Sequence, residues 1–578
     1  LTKVKNQLMR QVVTGSMSVA NKARLLGNAV LIHGDPDHVN RRLEEIRGVS
    51  LEDVQRVART YLALERRTEV RVEPSIGGML KNMLGFGKGP VEDEGAAEVA
   101  ASGENRIAQR TGVKATAVRP ADFPSVPPMK PLLEEIPHVR SVEKTLPNGL
   151  RVVVIPNDEI PFVTMTLGLK YGAWADDASR PGVASMALQM LTQGTEKHSA
   201  VELAEEIEYN ALTLSGGAGL DVARVSATAL ADKVEKAVEL LAEVVLRPTF
   251  PKDQFSVLKK QTSMGLMISS KEPNYIANRE WRRRLYGDHP YARTATGELQ
   301  DVRRIKPEHV RAWWSTFARP DAAVLYVAGD AKPERIFQLV ERHLGGWTAQ
   351  GAAPQPAVVE APSSDGTHIY LVDRPGSVQS QIRVGHAGIT RQHPRYHASR
   401  VFNQIFGGAF NSRLNEAIRV ERGLTYGARG GFSARRFAGE FQASTFSKTP
   451  KTAEAIQVLL DVIKGMVAQP ATDEELDIAR NYLAGSFAGD RETPQATVSD
   501  LWLIEYAGLP SDYFQQALKA YKRTGERDVT GIAELLIDSS RMTIIVVGDA
   551  KRIKADLEKI APVTLVKEEQ LPTKEDVS

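Results

Sequence analysis

Arg419 and Tyr426 are the residues whose types could do chemistry together. They stand seven apart in IFGGAFNSRLNEAIRVERGLTYGARGGF, the stretch Ile405 to Phe432. A guanidinium can donate hydrogen bonds to a carbonyl, and a phenol can donate one to an oxyanion as it forms. The neighbouring residues supply the elements that would position them. Gly407 and Gly408 allow a tight turn, because glycine has no Cβ to clash. Ser412 stands where a helix N-cap would stand. Leu414 and Ile418 give the short helix that follows one apolar face, and Gly423 stops it. Leu424 and Tyr426 then open an extended segment. Arg419, in the last helical turn, and Tyr426, beyond the glycine, are aimed at a common region. On these residues alone a purely structural role is the reading to prefer. Arg419 would complement the helix dipole and pair with Glu416, and Tyr426 would pack half-buried in a strand.

Other reactive arrangements lack their parts. Cysteine is absent, which removes disulfides, thiolate ligands and thiol nucleophiles. The eleven histidines are scattered. His393 and His397 have i, i+4 spacing but no Glu at either inner position, and Pro394 between them suits only a helix start. His386, in VGHAGI, reads as the structural end of a strand. Neither a G-x-x-x-x-G-K-S/T phosphate loop nor a G-x-S-x-G elbow occurs.

Length and composition set further bounds. A chain of 578 residues exceeds the roughly 250–300 at which single cores stop growing, so several domains are expected. The 74 basic and 71 acidic residues leave a net charge of +3, which is no nucleic-acid footprint. Trp281-Arg282-Arg283-Arg284, the one tight basic run, reads as a solvated helix face. No run reaches the ~18 apolar residues that span a bilayer. No signal peptide is visible, and the chain opens at Leu1 in mid-domain. The lack of cysteine fits a cytoplasm as well as a periplasm; the compartment stays unknown, with a bacterial periplasm favoured.

The chain repeats itself. VLYVAGDA at Val324 to Ala331 recurs as IIVVGDA at Ile544 to Ala550, with Asp330 and Asp549 about 219 residues apart. VVVIPNDEIPFVTMTLG at Val152 to Gly168 parallels IYLVDRPGSVQSQIRVG at Ile369 to Gly385. Residues 1–77 read as the closing part of a further copy: Ile46 to Val54, VARTYL and TEVRVEP follow the plan of Val302 to Val310, AWWSTF and the strand at Val324. That copy lacks its front, so the chain is expected to be a fragment or processed product of a longer polypeptide. Residues 78–140 form a linker, Gly-rich and charged and then proline-rich. Within it Met79, Met83, Leu84 and Phe86 could make a short docked helix. Residues 141–350 form one module, 351–366 a second linker, 367–566 another module and 567–578 a tail. In the first module, Asn148-Gly149 marks a hairpin turn before a strand at Leu150 to Ile155. Phe162 to Leu169 alternates as a further strand, Pro181 begins an amphipathic helix, and Ser199 with Glu202 forms a capping box. Thr472 with Glu475 forms another in the later module. The fold class is α/β, with α+β sandwich modules of mostly antiparallel sheet and helices packed on one face.

GGAFNSRLNEAIRVERGLTYG resembles the Arg/Tyr segment of the insulinase/pitrilysin family of zinc metallopeptidases, the inverzincins. LPNGLRVVVI, YGAWADDASRPGVASMALQMLTQGT and LRPTFPKDQF resemble the family's zinc-binding type of module, in the expected order. An active member carries H-x-x-E-H on the first helix: two histidines one turn apart bind zinc, and the Glu activates its water. Ser185-Met186-Ala187-Leu188-Gln189 stands there instead. QTSMGLMIS, around Ser263 to Leu266, has no carboxylate where a further ligand is expected. The resemblance therefore implies no metal ligand and no catalytic residue in this segment.

It further implies repeated metallopeptidase-type domains of about 210–220 residues, paired into halves that close around a peptide chamber. This chain would be the non-zinc, peptide-binding half of a metalloendopeptidase, with Arg419 and Tyr426 as substrate-binding residues. By itself it would be inactive. Zinc is expected for the complete enzyme, from a fused upstream half or an active partner subunit. The substrate would be a peptide or small unfolded protein, with no nucleic acid and no membrane span involved. The alternative is a non-catalytic scaffold or peptide-binding homologue.

Overall fold

The structure, a computed structural model, describes residues 1–62, 65, 67–70, 133–137, 139–355, 360–362 and 365–566. Most of the expected linker at 78–140, the apolar residues Met79, Met83, Leu84 and Phe86, the residues 71–74 of the expected early strand and the tail from 567 lie outside the described residues. Leu1–Arg47 and Leu132–Ser578 form one compact unit, and Gly48–Pro131 a second. In the second, the helix Leu51–Tyr61 starts from a capping box between Ser50 and Asp53.

The first unit is built on two six-stranded sheets. One contains β1 (Val142–Thr145), β2 (Arg151–Pro156), β3 (Phe162–Leu169), β4 (Thr213–Ala218), β5 (Ala223–Leu230) and β6 (Ala323–Gly329), in the order β1-β2-β6-β3-β5-β4. The other contains β7 (His368–Asp373), β8 (Gln379–Gly388), β9 (Arg429–Ala434), β10 (Gly439–Lys448), β11 (Thr543–Gly548) and β12 (Val563–Val566), in the order β12-β7-β11-β8-β10-β9. Five strands of each follow one plan. β2 pairs with β6, and β7 with β11, in parallel; the remaining pairs among the five are antiparallel. The sixth strand has a different origin in each sheet. β1 opens its module and runs antiparallel to β2, whereas β12 closes its module and runs parallel to β7. The repeated sequence is thus a repeated topology.

Local chemistry explains the elements. Gly149 takes a φ of 91°, which suits glycine, and turns β1 into β2. The capping boxes at Ser199/Glu202 and Thr472/Glu475 start the helices Ala200–Tyr209 and Asp473–Gly489. β6 is apolar throughout, β11 is apolar but for Thr543, and both are buried throughout, as central strands with a parallel neighbour must be.

Each module's own helices pack on one face of its sheet as expected, and the other module covers the second face. β3 is buried along its whole length, including Thr164 and Thr166, because Pro494–Ala507 from the other module crosses its outer face. Trp502 of that helix lies against Gly168, where a Cβ would fall 2.5 Å from the indole ring. Reciprocally, the helix Pro273–Tyr286 crosses β8 and β11. One expectation therefore needs correction: the basic run of this helix is not a solvated face. Trp281 is buried and donates to Glu440 at 2.7 Å, and Arg284 lies 4.5 Å from the centre of the Tyr370 ring. Replacing Trp502 by Ala should cost roughly 3–5 kcal/mol of stability, as expected for truncating a fully buried aromatic side chain. Urea unfolding would measure it, and a loss below about 1 kcal/mol would contradict the packing role.

Candidate functional site

The segment around Arg419 and Tyr426 is tied down at several points. The helix Tyr396–Phe406 lies across β9, the end strand of its sheet. Asn403 bonds the backbone of Phe432 in both directions: Phe432 N–H donates to Oδ1 at 2.7 Å, and Nδ2 donates to the Phe432 carbonyl at 2.8 Å. A Cβ on Gly430 would sit 2.5 Å from the Phe406 ring, so the helix can approach this closely only over glycine. Asn415, itself buried, staples the two ends of the loop. Its Oδ1 accepts from Ala428 N–H at 2.9 Å, and its Nδ2 donates to the Ala409 carbonyl at 3.1 Å. Arg413 donates to both oxygens of Glu475 at 2.7 Å and to the carbonyls of Gln469 and Pro470. Burial opposes ionisation of Glu475, yet the bonds from Arg413 and Thr472 hold its carboxyl below the usual range.

Within this frame the helix differs from the expected one. A single turn at Arg413–Asn415 widens into a π turn at Glu416–Val420, where Glu421 N–H bonds the Glu416 carbonyl. Ser412 occupies the N-cap position, but its side chain caps no backbone N–H; its Oγ accepts instead from Asn415 Nδ2 at 3.3 Å. Gly423, at φ 60°, stops the helix as expected. The extended strand expected at Leu424 begins only at Arg429. The loop in between turns Tyr426 outward, 86% exposed, so half-buried strand packing is overturned for it. Arg419 lies 4.3 Å above the centre of the Phe410 ring, which is itself 75% exposed. Among the described residues Arg419 makes no ion pair with Glu416. Arg419 and Tyr426 are thus both presented by one stapled loop beside β9, and neither is used up by the core.

The helix Val183–Met190 carries the five residues Ser185 to Gln189. Its start is held by the buried Asp176 carboxylate, which accepts from Gly182 N–H at 2.8 Å and Ala184 N–H at 2.9 Å. Ser185 and Gln189 do fall on one face, where Gln189 Nε2 donates to Ser185 Oγ at 3.0 Å. Leu188 is fully buried, and its carbonyl abuts Gly216 of β4. Ser263, on the helix Lys252–Ser269 that packs against this one, is buried as well. A hydroxyl, a carboxamide and a second hydroxyl do not fit zinc, which takes thiolate, imidazole and carboxylate ligands. Among the described residues no three or more His, Cys, Asp or Glu side chains gather to hold a metal.

His393 and His397 do not act as a pair. His393 Nδ1 accepts from Arg395 N–H, whereas the His397 ring lies 4.7 Å from Tyr513. Burial, reinforced by Arg391, pushes His397 down to about 4. Its unfolded value is near 6.5, so the unfolded chain takes up this proton first. The associated stability is complete above about pH 6.5 and is lost as pH falls towards about 4. A stability–pH profile should show that slope, and His397→Phe should flatten it. Asn415→Ala should leave the Ala428 N–H unpaired at a cost of about 1–3 kcal/mol. Amide exchange at Ala428 would accelerate; unchanged exchange there would count against the staple.

Known proteins resemble this chain in sequence and in fold. A family model described as insulinase (peptidase family M16) matches residues 151–297, and one described as peptidase M16 inactive domain matches residues 304–483. The second match includes both Arg419 and Tyr426. A non-peptidase homologue from Helicobacter pylori is 23% identical over 413 residues, covering 70% of this chain and 94% of that protein. An uncharacterised zinc protease from Mycobacterium leprae is 22% identical over 357 residues, covering 62% and 80% respectively. The crystal structure of a peptidase M16 inactive domain from Pseudomonas fluorescens matches with a TM-score of 0.65 at 26% identity, over 71% of this chain and 98% of that one. The crystal structure of a protease from Helicobacter pylori shares the fold at a TM-score of 0.67 and 17% identity, over 71% and 100%.

Proposed function

The chain belongs to the insulinase family, peptidase family M16, as an inactive-type half, and from that premise we propose that it is the peptide-gripping half of a zinc-dependent endopeptidase. The observation that carries this reading is the contrast between its two loci. At one, Ser185 and Gln189 bond each other in place of metal ligands. At the other, Arg419 and Tyr426 are held outward on a loop pinned by Asn415 and Arg413. At 86% exposed, Tyr426 adds nothing to the core and its phenol is free to meet a substrate.

A peptide substrate pairs with a free sheet edge through its main chain. β9, the end strand beside the loop, is not that edge: Asn403 takes the Phe432 N–H and carbonyl, and Gly430 N–H donates to the Gly407 carbonyl, so the pairing edge belongs to the complementary half. Arg419 donates to a carbonyl of the bound peptide, with Phe410 beneath it fixing the guanidinium plane. Tyr426 donates to the oxygen that gains charge as the scissile carbonyl is attacked. Zinc belongs to the complementary half, upstream in the polypeptide or on a partner subunit. A scaffold that binds peptides without cleaving them is the second reading, and the Helicobacter pylori relative's description as a non-peptidase homologue favours it.

Turnover of a fluorogenic peptide by the complete enzyme decides between them. Tyr426→Phe and Arg419→Ala should each lower it by about 10²–10³-fold, the range for losing one oxyanion-type donor. Zinc content should stay unchanged in both variants. Full turnover in both would remove the proposed roles, and a native assembly without zinc would favour the scaffold.

A further inference from the structure

Two helices cover the sheets of this molecule from outside, and a third of the same build makes no such crossing among the described residues. Pro273–Tyr286, Pro494–Ala507 and Val19–His33 each follow another helix, namely Lys252–Ser269, Asp473–Gly489 and Thr2–Gly15. Each ends at a glycine with positive φ: Gly287 at 53°, Gly508 at 62° and Gly34 at 69°. Gly287-Asp288-His289-Pro290 and Gly34-Asp35-Pro36 continue the likeness.

The fifth, ninth and thirteenth residues of these helices are equivalent. In the first helix they are Ala277, Trp281 and Leu285, at most 3% exposed and packed with Val372, Ile545 and Val547 of the neighbouring sheet. In the second they are Val498, Trp502 and Tyr506, packed with Val153, Val324 and Tyr326. In the third they are Ala23, Gly27 and Leu31, all exposed, Leu31 to 84%. With Val19, Leu26 and Val30 they make an apolar stripe at i, i+4, i+7, i+8, i+11 and i+12. The stripe is presented firmly. Ser18 caps the helix through Asn21 N–H, and Val19 N–H donates to Glu492 at 3.1 Å. The preceding helix is fastened by an ion pair between Lys3 and Glu208 and by Asn6 donating to the Tyr209 carbonyl.

A second copy of this chain is a poor occupant, since the outer faces of both its sheets are already crossed by Pro273–Tyr286 and Pro494–Ala507. A membrane surface calls for large side chains at the centre of such a stripe, where Ala23 and Gly27 stand. Resting on the reading that this chain works with a zinc-bearing half, we propose that Val19–His33 docks across the outer face of a third six-stranded sheet, in the zinc-bearing module of that half. The repeat then places the same helix on a neighbouring sheet three times over, and the exposed stripe becomes the interface.

The absence of cysteine makes the test direct, because Leu31→Cys creates a single thiol in the full chain. That variant, labelled with a benzophenone maleimide, is mixed with the zinc-bearing half from the same organism, made as a separate polypeptide containing its H-x-x-E-H helix. Illumination should join residue 31 to outward-facing strand residues of that module. Leu31→Asp should weaken association at least tenfold without changing Tm, since the side chain is already in water. No association, an adduct between two copies of this chain, an adduct elsewhere on the zinc-bearing half, or an unchanged Kd in Leu31→Asp would each overturn the docking. Peptide turnover separates this from the functional reading. A sheet adduct with full turnover in Arg419→Ala supports the docking and removes the peptide-gripping role. Lost turnover in Arg419→Ala with an unchanged Kd in Leu31→Asp does the opposite.

Discussion

A sheet that is apolar on both faces is stable in water only if both are covered, and each sheet here obtains half its cover from the other module. β3 shows how the exchange is built. Val163, Met165 and Leu167 face its own helices, and Thr164, Thr166 and Gly168 face the helix Pro494–Ala507. Gly168 leaves room for the Trp502 ring, and Thr164 bonds Gln495. The second sheet is treated in the same way. Trp281 and Leu285 cover Ile545 and Val547, and Arg383 projects from β8 to Asn278 and Asn274. Burial pushes the Arg383 guanidinium down to about 10, and the two amides bond it without a counter-charge. Glu505, ion-paired with both Arg151 and Lys170, adds a charged contact at the rim of the first crossing. Neither module could keep its sheet dry alone, which is why the two form one unit.

That rigidity is what the Arg419/Tyr426 loop draws upon. Loops carry function when a scaffold positions them. Here Asn403, Arg413 and Asn415 are each spent on the backbone or on Glu475, so that Phe410 and Tyr426 can remain exposed and Arg419, half-buried, can lie over the Phe410 ring. The glycines at 430 and 431 serve the same end, because side chains there would collide with Phe406 and Asn403. The helix Val183–Met190 has the converse design. Its polar side chains satisfy each other, and its caps and packing preserve a helix without a metal site.

Much of this was legible in the residues themselves. The capping boxes at Ser199 and Thr472, the turn at Asn148-Gly149, the span of β3 and the helix stop at Gly423 follow from contacts within a few residues, which a local pattern records. The two-fold repeat was visible because equivalent strands need equivalent side chains. The π turn at Glu416–Val420 was not, since it depends on Asn415 reaching Ala428 and on Arg413 reaching Glu475. Nor was the outward turn of Tyr426, which a strand pattern beginning at Leu424 would have half-buried.

The sequence by itself determined most of the elements, the repeat, the chemistry available at Arg419 and Tyr426, and side chains at Ser185 and Gln189 that do not fit zinc. Tertiary structure alone decided which faces stay wet. Trp281 and Glu440 meet across 159 residues of chain, and Thr164 and Gln495 across 331. At such separations no periodicity couples the partners. A run such as Trp281-Arg282-Arg283-Arg284 therefore reads as a solvated face until a sheet from the other module is laid against it.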